Sequence, residues 1–266
     1  MPKPNCSQEQ KDEIRKTLQS TEWIYEEKPW NYLIANILLN DDLDGNIVNQ
    51  FINSPDTVRI ETNVWFEAQP FTPYLNEGNT CVDIAFGSLI RRGVTISGID
   101  YNPLDQHGLI TFIEGKFFSD VSKDVSYDPF RNQIDRTIEN LLVIQGGNHD
   151  LPKKLYFVLL TPKVFKENRL LRLYGYRMNE YGFDLAEMNS SAIYNSISNS
   201  RLIRRTNSPN WVYPNIRERL THLKIKWLTY EQIIGPIFNR PNLDVTNIAS
   251  DNDLISRLHQ YIIRYC

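Results

Sequence analysis

The chain has 266 residues, 41% hydrophobic and 23% charged, ordinary globular values with ample length for a real core. Its net charge of −3 excludes a protein that coats nucleic acid indiscriminately, while leaving room for a local basic groove.

Residues 1–55 read as a helical region packed on the core. Ser7 and Gln10 stand at capping-box spacing and open a helix over SQEQKDEIRKTLQS. In PWNYLIANILL, apolar residues at 30, 33, 34, 37 and 38 give the i, i+3, i+4 stripe of a buried helix face. The acidic stretch 41–45 lacks the rest of a calcium loop and reads as a helix-ending turn. Residues 56–240 read as an α/β domain and 241–266 as a C-terminal helix. Pro55-Asp56 falls in a turn before a strand over TVRIETNVWFEAQPF, which contains Glu67. A strand over CVDIAF follows, and Arg91-Arg92-Gly93 turns the chain into a further strand, Val94–Ile99. Residues 101–108 are a polar loop, and GLITFIEGKFFS is the next strand.

Two of these strands carry charge where a buried strand should have none. Asp83 follows Val82 directly and precedes Ile84 and Ala85. Glu114 and Lys116 close the run Leu109–Ile113, and residues two apart on a strand share a face. Gly115 between them leaves its backbone accessible. If the strands are neighbours, two carboxylates and an ammonium meet on an otherwise apolar sheet. Carboxylate oxygens suit a hard divalent cation such as Mg²⁺, and a lysine beside them can polarise water or steady a phosphate. The plain alternative is a salt bridge between strand ends.

Asp128-Pro129 predicts a helix start, Asp as N-cap and Pro at N1, with Ile134, Ile138, Leu141 and Leu142 on one face. Gln133 then lies just past the first turn, where amide dipoles favour phosphate. Gly146-Gly147-Asn148 ends the helix, and the apolar run 154–160 predicts a central strand. Between 163 and 213, arginines interleave with tyrosines before a Ser/Asn-rich helix that ends in RLIRR. Arg201, Arg204 and Arg205 there are the candidates for tracking a nucleic-acid backbone. A helix over 214–223, a strand over 224–228, a helix over 229–237 and a last helix over 251–265 complete the chain. Three dispersed cysteines and four scattered histidines, without ligand spacing, give no zinc site or disulfide framework and point to a reducing cytoplasm. No 18-residue apolar run predicts a membrane span, and no Walker A or GxGxxG motif supports nucleotide binding.

Taken in order, Glu67, Asp83, Glu114-Gly115-Lys116 and Gln133 resemble the motif of the PD-(D/E)XK nuclease superfamily: an acid on one strand, then (Asp or Glu)-x-Lys on the next. An acidic residue often precedes this pair in the family, and a Gln-bearing helix often follows. The resemblance spans roughly residues 60–165. Three features depart from it: no Pro precedes Asp83, Gly115 replaces the usual apolar residue, and a long gap separates Asp83 from Glu114. The family reading therefore requires residues 91–108 to be an excursion off the end of the sheet.

The resemblance implies a restriction-endonuclease-like α/β fold, a mixed central sheet flanked by helices. It also implies a metal-dependent nuclease of restriction, defence or repair type, acting first of all on DNA. Asp83, Glu114 and the Gly115 carbonyl would hold Mg²⁺ or Mn²⁺. Lys116 would orient the attacking water or stabilise the transition state. Glu67 would bind a second metal or steady the first ligands, and Gln133 would support the nucleophile or the scissile phosphate. Nucleic acid is the expected partner, with a homodimer left open. Two rivals stand beside this reading: a non-catalytic binding or assembly module on the same fold, and a metal enzyme acting on another substrate.

Overall fold

The computed structural model of the chain describes residues 2–40, 46–52, 64–75, 77, 80–120, 131–185, 187–200, 202–205 and 210–266. Ser7 caps α1 (Gln8–Thr17) in a reciprocal capping box with Gln10, as its spacing predicts. In α2 (Glu27–Asn40) the predicted apolar stripe is fully buried, Trp30, Leu33, Ile34, Ile37 and Leu38 included. A short α3 (Asn46–Ile52) follows. The predicted turns at 41–45 and 55–56 lie outside the described residues.

The strands are β1 (Val64–Pro70), β2 (Val82–Gly87), β3 (Leu89–Arg91), β4 (Gly98–Tyr101), β5 (Leu109–Gly115), β6 (Lys154–Thr161) and β7 (Leu223–Thr229). They form one mixed sheet in the order β3-β4-β1-β2-β5-β6-β7. β1, β2 and β5 pair antiparallel, whereas β5, β6 and β7 run parallel. β5 is buried throughout and β6 everywhere but Lys154, which is why both read as unbroken apolar runs rather than alternating ones.

The strand predicted at Val94–Ile99 begins only at Gly98. Residues 93–97 are a turn in which Gly93 adopts φ +56° and the Thr95 hydroxyl donates to the Arg92 carbonyl at 2.7 Å. Side chains at 94 and 96 face water, Val94 being 96% exposed. The β3–β4 hairpin sits beyond β1, at the edge of the sheet, so β2 and β5 are direct neighbours.

Helices cover both faces. α2, α9 (Tyr230–Ile237) and α10 (Asn252–Tyr265) share one apolar core with Phe66, Ile84, Ile113 and Val158 of the sheet. α4 (Gln133–Val143), α6 (Leu173–Glu180), α7 (Ser190–Ser198) and α8 (Ile216–Leu220) build the other core against Ala85, Phe112, Phe157 and Ile225. Lys163–Glu167 forms a short α5 between β6 and α6. α4 starts four residues later than a cap at Asp128 predicts. Asn132 caps it in a reciprocal box with Asp135, so Gln133 is its first residue. The helix predicted over 214–223 is shorter at both ends, because Leu223 already pairs with β6. The one predicted to run through RLIRR ends at Ser198. No helix among the described residues is long and apolar enough to cross a membrane.

A buried ionic cluster ties α4 to the loop after β1. The Arg131 guanidinium lies 3.0 Å from Glu77, is hydrogen-bonded to Glu139, and sits over the Tyr74 ring at 4.4 Å. Glu139 also accepts from the hydroxyls of Tyr74 (3.0 Å) and Tyr213 (2.8 Å). Deleting one partner of such a cluster leaves an uncompensated buried charge, at a cost of about 3–5 kcal/mol. We expect Arg131→Met to lose that much stability in urea unfolding; a loss under about 1 kcal/mol would show the cluster to be dispensable.

Candidate active site between two helix N-termini

The β2–β5 register pairs Ile84 with Ile113, so one step further along Asp83 stands across from Glu114. The Gly115 amide donates to Asp83 Oδ2 at 2.8 Å. Lys116 follows directly, its backbone amide donating to the Leu160 carbonyl of β6 at 2.8 Å. Its ammonium lies 2.9 Å from Glu114 Oε1. Glu114 is fully buried and Lys116 only 4% exposed. Gln133, the first residue of α4, donates its amide to Glu114, and the Thr137 hydroxyl one turn on lies 3.3 Å from the other oxygen. The structure thus brings Asp83, Glu114, Lys116 and Gln133 to one place.

It adds a residue that sequence reasoning missed. Glu27 opens α2 from the opposite face of the sheet and sets Oε1 3.2 Å from the Lys116 ammonium. Its other oxygen accepts from the Phe117 amide (3.1 Å) and the Ser119 hydroxyl (2.5 Å). In the sequence an acid in a helix's first turn reads as an ordinary complement to the macrodipole. No local spacing ties position 27 to position 116. The N-terminal ends of α2 and α4 therefore reach the same strand end from the two faces, and both present positive dipole ends to it.

The remaining expected residues go elsewhere. Glu67 lies between Phe66 and Ala68, whose partners are Ile84 and Val82, yet its carboxylate pairs with Lys28 at 2.9 Å. Its φ of +49° is unusual for a residue with a side chain and breaks the regular run of β1 beside Asp83. The Arg204 guanidinium covers the Tyr213 ring at 4.3 Å. Arg205 donates to the Thr72 carbonyl at 2.9 Å and covers Phe71 at 4.7 Å. Both brace the loop after β1 rather than the carboxylates. Arg201 lies outside the described residues.

Gly115 is required by packing. A Cβ there would meet the Asn31 side-chain oxygen at 2.0 Å, and that oxygen accepts from the Tyr230 hydroxyl at 2.7 Å inside the core. α2 thus lies on the backbone of the x position, closer than any side chain allows. Gly115→Ala should lower the melting temperature through this clash, and Asn31→Gly in the same chain should restore part of the loss. Wild-type stability in the single variant would refute the close approach.

Burial first, and then the Glu114 charge, raise the Asp83 carboxyl well above its ordinary range. Burial also raises Glu114, against the opposing pull of Lys116. Burial alone would lower the Lys116 ammonium, but Glu114, Asp83 and Glu27 outweigh it and hold the group charged. Three carboxylates thus act on one ammonium, and the cluster is short of positive charge. Among the described residues no group of three or more His, Cys, Asp or Glu side chains is placed to hold a metal by itself. The donor set still fits Mg²⁺ or Mn²⁺, because Mg²⁺ keeps several waters and takes one or two protein carboxylates with substrate phosphate oxygens. Asp83 and Glu114 could supply those two carboxylates.

No family model, no curated protein and no solved structure matches the chain.

The raised carboxyls make stability depend on pH with a defined sign. A carboxyl whose value in the fold exceeds its unfolded value stabilises the protein at low pH, and that contribution is lost as pH climbs through the folded value. Burial pushes Glu139 up from 4.5 to about 7, and Asp83 and Glu114 shift the same way. In EDTA the melting temperature should therefore fall as pH rises from about 5 to 8, and Glu139→Gln should flatten part of that slope. A melting temperature that rises with pH over this range would contradict the assignment.

Proposed function

We propose that this protein is a divalent-metal-dependent nuclease that hydrolyses phosphodiester bonds, in DNA first of all, on a restriction-endonuclease-like version of its α/β fold. One observation carries the reading. Asp83 and Glu114 face each other on adjacent antiparallel strands, with Lys116 2.9 Å from Glu114 and too little positive charge around them. A nucleic-acid phosphate brings further negative charge, so the site functions only with a cation. Mg²⁺ or Mn²⁺ held by Asp83, Glu114 and the Gly115 carbonyl would neutralise charge on the phosphate and lower the pKa of a bound water. The chain's own groups do the positioning. Lys116 stays protonated among its carboxylates and donates either to the attacking water or to a non-bridging phosphate oxygen. Gln133 orients the Glu114 carboxylate, and its place at the start of α4 sets amide dipoles toward a bound anion. Glu27 holds the lysine between the two strand ends. Cleavage in a reducing cytoplasm accords with the three free cysteines.

A second reading has its own support. Lys116 is nearly closed off by Glu27 and Glu114, an arrangement that also suits a structural ion cluster in a non-catalytic nucleic-acid-binding or assembly module. One experiment separates them. Plasmid, linear and single-stranded DNA and RNA are incubated with Mg²⁺, Mn²⁺ or EDTA, and cleavage is compared with thermal melts. We expect metal-dependent cleavage that Asp83→Ala, Glu114→Ala and Lys116→Ala each abolish. Mn²⁺ should raise the melting temperature of wild type and Lys116→Ala, and do so much less in the two carboxylate variants. Cleavage that survives all three substitutions, or a wild type with neither cleavage nor a metal shift, transfers the case to the non-catalytic module.

A further inference from the structure

At the far end of α4 from Gln133, the structure holds a cavity of about 600 Å³ that the carboxylate site does not use. Its size is that of a small-molecule site. Phe71 and Trp211, with ring centroids 5.4 Å apart, lie in its wall, and the Arg205 and Arg92 guanidinium groups stand over the Phe71 ring at 4.7 and 5.8 Å. Arg92 and Asp100 also line it, together with the turn at Gly146 and Gly147. At Gly147 there is open space, since a Cβ would meet nothing within 4 Å.

The walls are braced. Gln145 accepts from the Val212 amide at 3.1 Å and donates to the Val212 carbonyl at 2.8 Å, fastening the Trp211 segment to the end of α4. The Tyr101 amide donates to the Gln145 carbonyl at 3.1 Å and fastens β4 to the same turn.

Polar groups in these walls are left unsatisfied. The Trp211 indole N–H has no hydrogen-bond partner among the described residues, although the residue is only 5% exposed. Arg92 Nη1 is buried without a hydrogen bond among the described residues and stands 3.8 Å from Asp100 Oδ1, beyond hydrogen-bond reach. Leaving such groups unmade is costly, so a fold that keeps two of them together has a use for them. Burial raises the Asp100 carboxyl and lowers the Arg92 guanidinium, each against its partner's pull, which again describes a pair less than fully matched.

We propose that this cavity is a nucleobase-binding site. A base has flat faces to lie against a wall of aromatic rings and guanidinium planes, and an edge that offers N–H donors beside ring-nitrogen or carbonyl acceptors. An Arg–Asp pair reads that combination, the guanidinium donating to carbonyl or ring nitrogen and the carboxylate accepting exocyclic or ring N–H. Stacking on an aromatic ring tolerates any base, so the pair supplies the selectivity. The proposal rests on the nucleic-acid reading above, and two sources fit the chemistry: a free nucleotide, or a base turned out of a strand.

The test uses the full chain in EDTA, so that cleavage plays no part. Calorimetric titration with the four 5′-mononucleotides should give a Kd below about 1 mM for at least one of them. Asp100→Asn and Arg92→Ala should weaken it at least tenfold with melting temperatures near wild type, and Trp211→Phe should weaken it while keeping the ring. Should Arg92→Ala fail to fold, Asp100→Asn carries the comparison. Oligonucleotides containing 2-aminopurine separate the sources: a fluorescence rise on binding that Asp100→Asn removes identifies a base turned out of a strand. Mononucleotide binding without that rise identifies a free nucleotide. Asp83→Ala should leave all of this unchanged, so failure of the carboxylate assignment and failure of this one are distinguishable. No mononucleotide binding and no fluorescence change in wild type would overturn the proposal, and so would binding that both Asp100→Asn and Arg92→Ala leave intact.

Discussion

An ammonium taken out of water organises this molecule. Lys116 is nearly buried, and a buried ammonium is tolerated only where carboxylates meet it at hydrogen-bond distance. Glu114 meets it from its own strand, at 2.9 Å, and Glu27 from the first turn of α2, at 3.2 Å. Those two contacts settle where α2 begins relative to the sheet. Glu27 also accepts from the Phe117 amide and the Ser119 hydroxyl, so the chain leaving β5 is held to the same helix end. Glu114 in turn recruits Gln133 and Thr137, which places the start of α4 on the opposite face. Two cores on two faces of one sheet are thus aligned by one charge and its partners.

The strand ends around this charge are irregular for reasons that can be named. Gly115 allows the backbone of β5 to lie against Asn31 of α2, which a side chain at that position would prevent. Glu67 carries a left-handed φ at the level of Asp83, and such a conformation costs on the order of 1–3 kcal/mol unless its surroundings hold it. Lys28, adjacent to Glu27, holds it at 2.9 Å and also pairs with Glu13 of α1. One turn of α2 therefore restrains both the lysine cluster and the bend of β1. Glu67 itself, paired with Lys28, belongs to that frame beside the lysine cluster.

What the sequence made legible was local. The capping box at Ser7/Gln10 marks a helix start because both partners lie within one turn. The apolar runs of β5 and β6 read as central strands because both faces are covered. The meeting of Asp83 with Glu114-Gly115-Lys116 was legible from a motif, since an ordered motif carries long-range pairing that periodicity lacks. The rest turned on competition that linear spacing does not reveal. Asp128-Pro129 suggests a cap, whereas α4 is capped by Asn132 through its reciprocal bond with Asp135. The β-branched residues Val94, Thr95 and Ile96 have strand propensity, but Gly93 and the Thr95 hydroxyl close a turn over them. Arg204 and Arg205 look like a phosphate track in one dimension. In three they lie on Tyr213 and Phe71, neighbours that no local pattern names.

α4 connects the two sites. Its first residue supports Glu114, and its last turn leads into the cavity lined by Gly146, Gly147 and Trp211. Eleven residues at 1.5 Å each separate the two ends by about 16 Å. The helix is anchored along its length. Asn132 and Asp135 close its start, Glu139 holds Arg131 and two tyrosine hydroxyls at its middle, and the Leu142 carbonyl accepts from buried Arg219 near its end at 3.1 Å. A helix buried on nearly every side and pinned at three levels moves as a rigid rod. The carboxylate cluster and the cavity therefore keep a fixed separation, set by helix length rather than by loop conformation.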